Sequence, residues 1–179
     1  MTTTSAVLVI DVQRGLFEPA PQPFEAQQTV QRINALTARA RAAGVPVGVI
    51  LHEREGSALA HQSEGWQPVA QLDVDPGDRL IRKTTPDSFL RTELGAWLAG
   101  LGVQRLVICG YASEFCVDTT TRRAAALGFE VELAADAHTT HDKPHATAAQ
   151  IRAHHNATLP GITSFGPRIR ALPSAEITL

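Results

Sequence analysis

The run Ala6-Val7-Leu8-Val9-Ile10 is apolar at every position. A strand with one wet face alternates polar and apolar residues. A strand covered on both faces does not, and unbroken apolar runs mark parallel sheets with helices on either side. Further β-rich runs are expected at Val45 to Leu51, Arg79 to Arg82, Val103 to Cys109 and Phe129 to Leu133, with a short last strand at Ile162 to Phe165. Helical patterns lie between them. Glu25 to Ala43 puts Val30, Ile33, Leu36 and Ala40 on one face and stops at Gly44. Asp87 or Ser88 caps a helix through Leu98, with Phe89, Leu90, Leu94 and Leu98 facing inward. Ser113 opens a helix to Leu127, and Lys143-Pro144 starts one that reaches about Asn156. Strands alternating with helices make βαβ units with right-handed crossovers. The predicted fold class is therefore α/β: a three-layer α/β/α, Rossmann-like arrangement with six parallel strands and helices on both faces. Residues 1–179 read as one domain, without repeats or low-complexity segments.

Hydrophobic residues make up 44% of the 179 positions, enough to bury a core, and the net charge is -2. That balance gives no electrostatic reason to expect nucleic acid or an anionic membrane as partner, and leaves a small-molecule partner. Cys109 and Cys116 do not form a disulfide framework. Met1 to Ser5 lead into the first strand with no h-region, and no apolar run approaches the ~18 residues of a membrane span. A cytoplasmic setting, in which Cys116 stays a free thiol, is the expectation. Residues 12–24 carry Pro19, Pro21 and Pro23 and read as a loop. Residues 52–78 form a long loop, expected to wall or lid a pocket with Trp66 as its anchor. The tail, with Pro167 and Pro173, reads as a weakly structured arm.

In such sheets a ligand sits outside the carboxyl ends of the strands, near the switch in strand order. Three residues stand at those ends: Asp11 after the first strand, Lys83 after the third, and Cys116 after the fourth. The segment Leu106 to Asp118 reads as strand, tight turn at Gly110, and helix, with Cys116 in the first helical turn. Unpaired backbone N–H groups and the positive end of the helix dipole favour a thiolate there, and the thiolate is the nucleophile. Position alone leaves the residues open: free cysteines are most often packing, as Cys109 is expected to be, and a strand-end Asp is often a turn residue. Together the three make chemical sense. Cys116 attacks a carbonyl carbon, Asp11 takes the thiol proton and hands it to a leaving amine, and Lys83 supports both charges. Phe17, Trp66, Tyr111 and Phe115 are candidates to enclose a small planar substrate, or to pack the core. His138, His141, His145, His154 and His155 show no ligand spacing and read as surface or helix-end residues.

Three blocks resemble the isochorismatase-like cysteine hydrolase family, which includes nicotinamidases and N-carbamoylsarcosine amidohydrolases. They are Val9-Ile10-Asp11-Val12-Gln13-Arg14-Gly15-Leu16-Phe17, then Arg82-Lys83-Thr84-Thr85-Pro86-Asp87-Ser88-Phe89, then Cys109 to Arg122. The resemblance implies an Asp11, Lys83, Cys116 triad and a cis peptide at Tyr111-Ala112. It implies an oxyanion hole from the backbone N–H groups of Ala112 and Cys116, a strand order of 3-2-1-4-5-6, no cofactor, and a homo-oligomer, dimer or larger. Lys83 would have to reach across the second strand, roughly 10 Å. The Asp-x-His metal pair of nicotinamidases is missing from His52-Glu53-Arg54-Glu55-Gly56-Ser57, so no metal is expected. The implied activity is cleavage of a C–N bond in a small amide, carbamoyl or ureido compound through a thioester. The alternatives are an isochorismatase-type vinyl-ether hydrolase, which would use Asp11 without the cysteine, and a small-molecule-binding or thiol-sensing module without turnover.

Overall fold

The computed structural model describes residues 4–179; Met1 to Thr3, part of the expected lead-in, lie outside the described residues. In chain order the elements are β1 (Ser5–Ile10), a single turn α1 (Arg14–Phe17), α2 (Ala26–Ala42), β2 (Val47–His52), β3 (Arg79–Lys83) and α3 (Leu94–Gly100). There follow β4 (Arg105–Tyr111), a π-helical turn (Ser113–Val117), α4 (Asp118–Ala126), β5 (Glu130–Thr139), α5 (Ala148–Thr158) and β6 (Ile169–Leu172). The six strands form one sheet in the order β3-β2-β1-β4-β5-β6, and all five pairings are parallel.

The two-residue period of a strand explains the layers. From β1, Val7 and Val9 enter one core with Val30, Ile33, Leu36 and Ala40 of α2. Ala6, Leu8 and Ile10 enter the other with Leu94 and Leu98 of α3 and Ala124 and Ala125 of α4. The fully apolar run of β1 is thus divided between two faces. Because β1 lies between β2 and β4, the chain reverses its direction of winding there, and the carboxyl ends of β1 and β4 flank the crevice.

Several boundaries differ from the sequence reading. Ile162 to Phe165 lie outside the strands, and β6 falls at Ile169–Leu172, where Ile169 pairs with Val131. The tail is docked. Ile177 is buried, Arg39 donates to the carbonyls of Ser174 and Ile177, and Arg105 donates to that of Thr178. Those arginines lie on α2 and β4, so the tail is held by partners distant in sequence. The helix expected after Asp87 is first a capped turn, with Asp87 accepting from the Phe89 N–H at 2.8 Å. Arg91 then takes a positive φ of 58°, and the helix starts only at Leu94. α5 starts at Ala148 behind a Thr147–Gln150 capping box rather than at Lys143-Pro144. β5 runs on to Thr139. Its pairing with β4 jumps from Ile108–Leu133 to Gly110–His138, an irregularity that carries His138 into the sheet. No helix among the described residues is long and apolar enough to cross a membrane.

Candidate active site

β1 ends where Asp11 adopts a left-handed backbone, φ 53°, a conformation Asp tolerates better than most residues. Its N–H still completes the ladder to the Ile50 carbonyl at 2.9 Å. On the neighbouring strand, Gly110 has φ +117°, and a Cβ there would collide with the Ile10 carbonyl oxygen. Only glycine lets β4 run this close to the end of β1. Beyond it the Tyr111-Ala112 peptide is cis. The chain then enters the π-turn, where the Val117 N–H reaches the Ala112 carbonyl at 3.1 Å. Cys116 sits in this turn, not in the first turn of a regular α-helix as the sequence suggested.

Lys83 closes β3, in register with His52 at the end of β2. Its side chain is wholly buried. Nζ donates to Asp11 Oδ2 at 2.7 Å and to Cys116 Sγ at 3.2 Å, and stands 3.1 Å from His52 Nδ1. The three residues singled out at strand ends therefore meet at one nitrogen, with the side chain of His52 beside it. A buried ammonium without partners would be prohibitive; here each of its three hydrogens has an acceptor. Asp11 Oδ1 is buried and has no hydrogen-bond partner. An unused carboxylate lone pair beside a thiol is the acceptor a general base needs.

The electrostatics correct one expectation. Burial and the Asp11 charge push the Cys116 thiol up to about 12, against the lowering effect of Lys83. The resting group is a thiol, not the thiolate inferred from a helix N-terminus, because desolvation and a neighbouring carboxylate outweigh the ammonium. Burial, with the Lys83 charge second, lowers His52 below the ordinary imidazole range, so its ring is neutral. The Asp11 carboxylate, a ring nitrogen of His52 and Cys116 Sγ lie within 4.8 Å of one another and are of a type that holds thiophilic cations. The Lys83 ammonium occupies the space between them, and Glu53 in the following loop is bound by Arg82 at 2.8 and 3.0 Å. The residues do not fit a metal.

The candidate pocket residues separate. Phe17 and Trp66 are core residues of one cluster, with Tyr111 packed against it and meeting Phe17 edge-on at 5.8 Å. Trp66 also borders a cavity of about 620 Å³ shared with Lys83 and Arg82. Its indole N–H is buried without a partner. Phe115 stands apart from the other three: it is 54% exposed, with Lys143 over its ring at 5.7 Å. Ala112 is buried just before the π-turn.

Sequence reasoning passed over Gln13 and His52. The buried Gln13 amide donates to the carbonyls of His52 and Trp66, both at 2.9 Å, and accepts from the His52 N–H at 2.9 Å. It ties the turn after β1 to the end of β2 and to the 52–78 loop. His52 carried the same signal as Asp11, a polar residue closing an apolar strand. His138 is a correction: it is fully buried, not a surface residue. It sits 2.7 Å from Ser113 Oγ and 2.9 Å from Asn156 Oδ1, and burial pushes it down to about 4.

A doubly wound sheet with a thiol, a carboxylate and an ammonium joined at its switch point defines the class, an α/β cysteine hydrolase. Within that class the chain belongs to the isochorismatase family, whose domain model, described as Isochorismatase domain, matches residues 5–163. Two streptothricin hydrolases of Streptomyces noursei are similar. One is 42% identical over 78% of this chain and 51% of its own length. The other is 34% identical over 97% of this chain and 64% of its own length. The chain thus spans between half and two thirds of these relatives. A crystal structure of an isochorismatase family protein superposes with a TM-score of 0.87 at 34% identity, covering 96% of this chain and 99% of that one.

Proposed function

We propose that the protein hydrolyses a C–N bond in a small amide, carbamoyl or ureido compound, with Cys116 as nucleophile and a thioester as intermediate. Asp11 takes the thiol proton as the sulfur–carbon bond forms, since the thiol of the free protein lies too high to ionise alone. The carbonyl oxygen becomes an oxyanion, held by the backbone N–H groups of Ala112 and Cys116. Asp11 passes its proton to the nitrogen, the amine leaves, and Cys116 carries the acyl group. A water then gives a proton to Asp11 and its hydroxide to the acyl carbon; the carbon–sulfur bond breaks, the acid is released, and Asp11 returns the proton to sulfur, restoring the thiol and its own carboxylate. Lys83 keeps its charge throughout and balances the negative charge as it moves between Asp11 and sulfur.

The reading rests on one observation: a single buried Lys83 ammonium donates to both the Asp11 carboxylate and the Cys116 sulfur. Vinyl-ether chemistry would leave that sulfur without a role. The streptothricin hydrolases, similar over most of this chain, support a hydrolase. The test is a panel of small amides, carbamoyl compounds and ureides, read by release of ammonia or amine, with intact-mass detection of an acyl adduct after acid quench. Release by the native protein, an adduct on Cys116, and a loss of about 10⁴-fold or more in Cys116→Ala are expected. Turnover that survives Cys116→Ala would remove the thioester from the mechanism.

A further inference from the structure

We propose that His52 is a positioning residue for Lys83: its Nδ1 accepts the ammonium's third hydrogen and so fixes the charge between Asp11 and the Cys116 sulfur. The proposal rests on the reading of those three residues as the reacting site.

Lys83 Nζ has three hydrogens and three acceptors: Asp11 Oδ2 at 2.7 Å, His52 Nδ1 at 3.1 Å and Cys116 Sγ at 3.2 Å. Two of those acceptors change during the proposed reaction. Asp11 becomes protonated, and the sulfur becomes a thioester, a poorer acceptor. His52 is the acceptor that does not change, so it holds the ammonium in place while the other two exchange charge. It can do so only as a neutral ring. Burial, the Lys83 cation from β3 and Arg54 next along its own segment favour that state, against the opposing charges of Asp11 from the end of β1 and Glu53; the Cys116 thiol from the π-turn is uncharged. With Nδ1 as acceptor the ring proton belongs on Nε2, the nitrogen left to bond the Thr85 backbone.

The ring is also held from behind. Gln13 bonds both the N–H and the carbonyl of His52, so the backbone at this point has little freedom to turn. Register places His52 directly beside Lys83. Removing the acceptor while keeping the volume would leave one ammonium hydrogen buried and unpaired. The ammonium would then tilt away from sulfur or give up its proton more readily, and either change weakens its support for a negative sulfur.

The test compares His52→Leu with His52→Asn, side chains of nearly equal size of which only asparagine carries an acceptor at the place of Nδ1. The readout is the rate of iodoacetamide alkylation of Cys116 by intact mass from pH 7 to 11, a measurement independent of the natural substrate. His52→Leu is expected to slow alkylation roughly tenfold at pH 9 and move the profile about one unit upward. His52→Asn is expected to restore the native profile. A native profile in His52→Leu overturns the proposal, as does an equal shift in both variants, which would make the ring's shape the cause. His52→Phe replaces His52→Leu if thermal melting shows the latter unfolded. Failure of the native protein to hydrolyse any amide would overturn the proposed function and leave the His52 result standing, so the two failures are distinct.

Discussion

Two buried polar clusters stand at the carboxyl side of the sheet, each built on a histidine, and they are finished differently. Around His138 every valence is closed. Ser113 Oγ lies 2.7 Å from Nδ1, Nε2 lies 2.9 Å from Asn156 Oδ1, and the Asn156 amide donates to the Ala135 carbonyl at 2.8 Å. The cluster holds no charge, and it ties the π-turn to β5 and α5. Around His52 there is an ion pair with no solvent, a thiol, and a carboxylate oxygen with no partner. The first arrangement is what a fold does with polar groups it must bury. The second keeps a buried acceptor open at an energetic cost, and an open acceptor beside a thiol is what a proton transfer requires. Burial alone therefore does not mark the site; a buried ion pair whose carboxylate keeps one oxygen open beside a thiol does.

The largest effects should fall on opposite quantities in the two clusters. Asp11→Asn is expected to lower turnover about 10⁴-fold, because the amide cannot take the thiol proton. His138→Ala is expected to leave turnover per folded molecule nearly unchanged while lowering unfolding free energy by about 3–5 kcal/mol, from a cavity and two orphaned partners. Steady-state rates and urea unfolding on both variants check this. Equal losses of turnover would erase the distinction between the clusters.

Next in size is the ion pair. Lys83→Met leaves the Asp11 carboxylate buried beside a neutral side chain, and a loss of about 3–5 kcal/mol is expected. The double variant Asp11→Asn with Lys83→Met should recover part of it, since both charges are gone. A double-mutant cycle on chemical denaturation reads the coupling, and additive losses would mean that the pair is not a unit.

The sequence carried the strands and the three ionisable residues at their ends. A buried parallel strand is apolar throughout, so a charge that closes it stands out, as Asp11 does; Lys83 closes the mixed edge strand Arg79–Lys83 and is picked out by its place at a strand end. His52 stood out by the same rule and was absorbed into the polar run His52 to Arg54 that follows. His138 was hidden because its burial depends on a β5 irregularity and on Ser113 and Asn156, neither of them near in sequence. The π-turn was invisible because its first residues are also good α-helix starters. The state of the Cys116 thiol was misjudged because a local rule, the helix N-terminus, was outweighed by burial and by Asp11, which arrives from β1.

A smaller effect comes from pH. The unfolded chain takes up a proton on His138 near pH 6.5, whereas the folded chain refuses it until about pH 4. This contribution is complete above pH 6.5 and is lost as the pH falls toward 4, by about 3 kcal/mol. Glu25 and Glu53, lowered by their arginine partners, lose stability in the same direction below the carboxylate range, so the native protein alone would not isolate the histidine. The difference between native protein and His138→Gln, measured by urea unfolding at pH 7.5 and 4.5, should shrink on acidification. A constant difference would mean that the closed cluster is not closed to protons.

The smallest prediction bears hardest on the comparison, because it concerns a residue three positions from Cys116. If satisfaction rather than proximity separates the clusters, Ser113 belongs with His138 and not with Cys116. Its hydroxyl donates to His138 Nδ1, since Nε2 is committed as donor to Asn156. Ser113→Ala leaves one buried acceptor unpaired and should cost about 1–2 kcal/mol. The alkylation profile of Cys116 should stay where it is, because Lys83 and Asp11, which set the charge at sulfur, do not touch Ser113. A stability loss with an unmoved profile places the boundary between structure and chemistry inside the π-turn, between its first and fourth residues. A profile that moves with Ser113→Ala would join the two clusters through that turn, and the closed chain would then be part of what holds the sulfur.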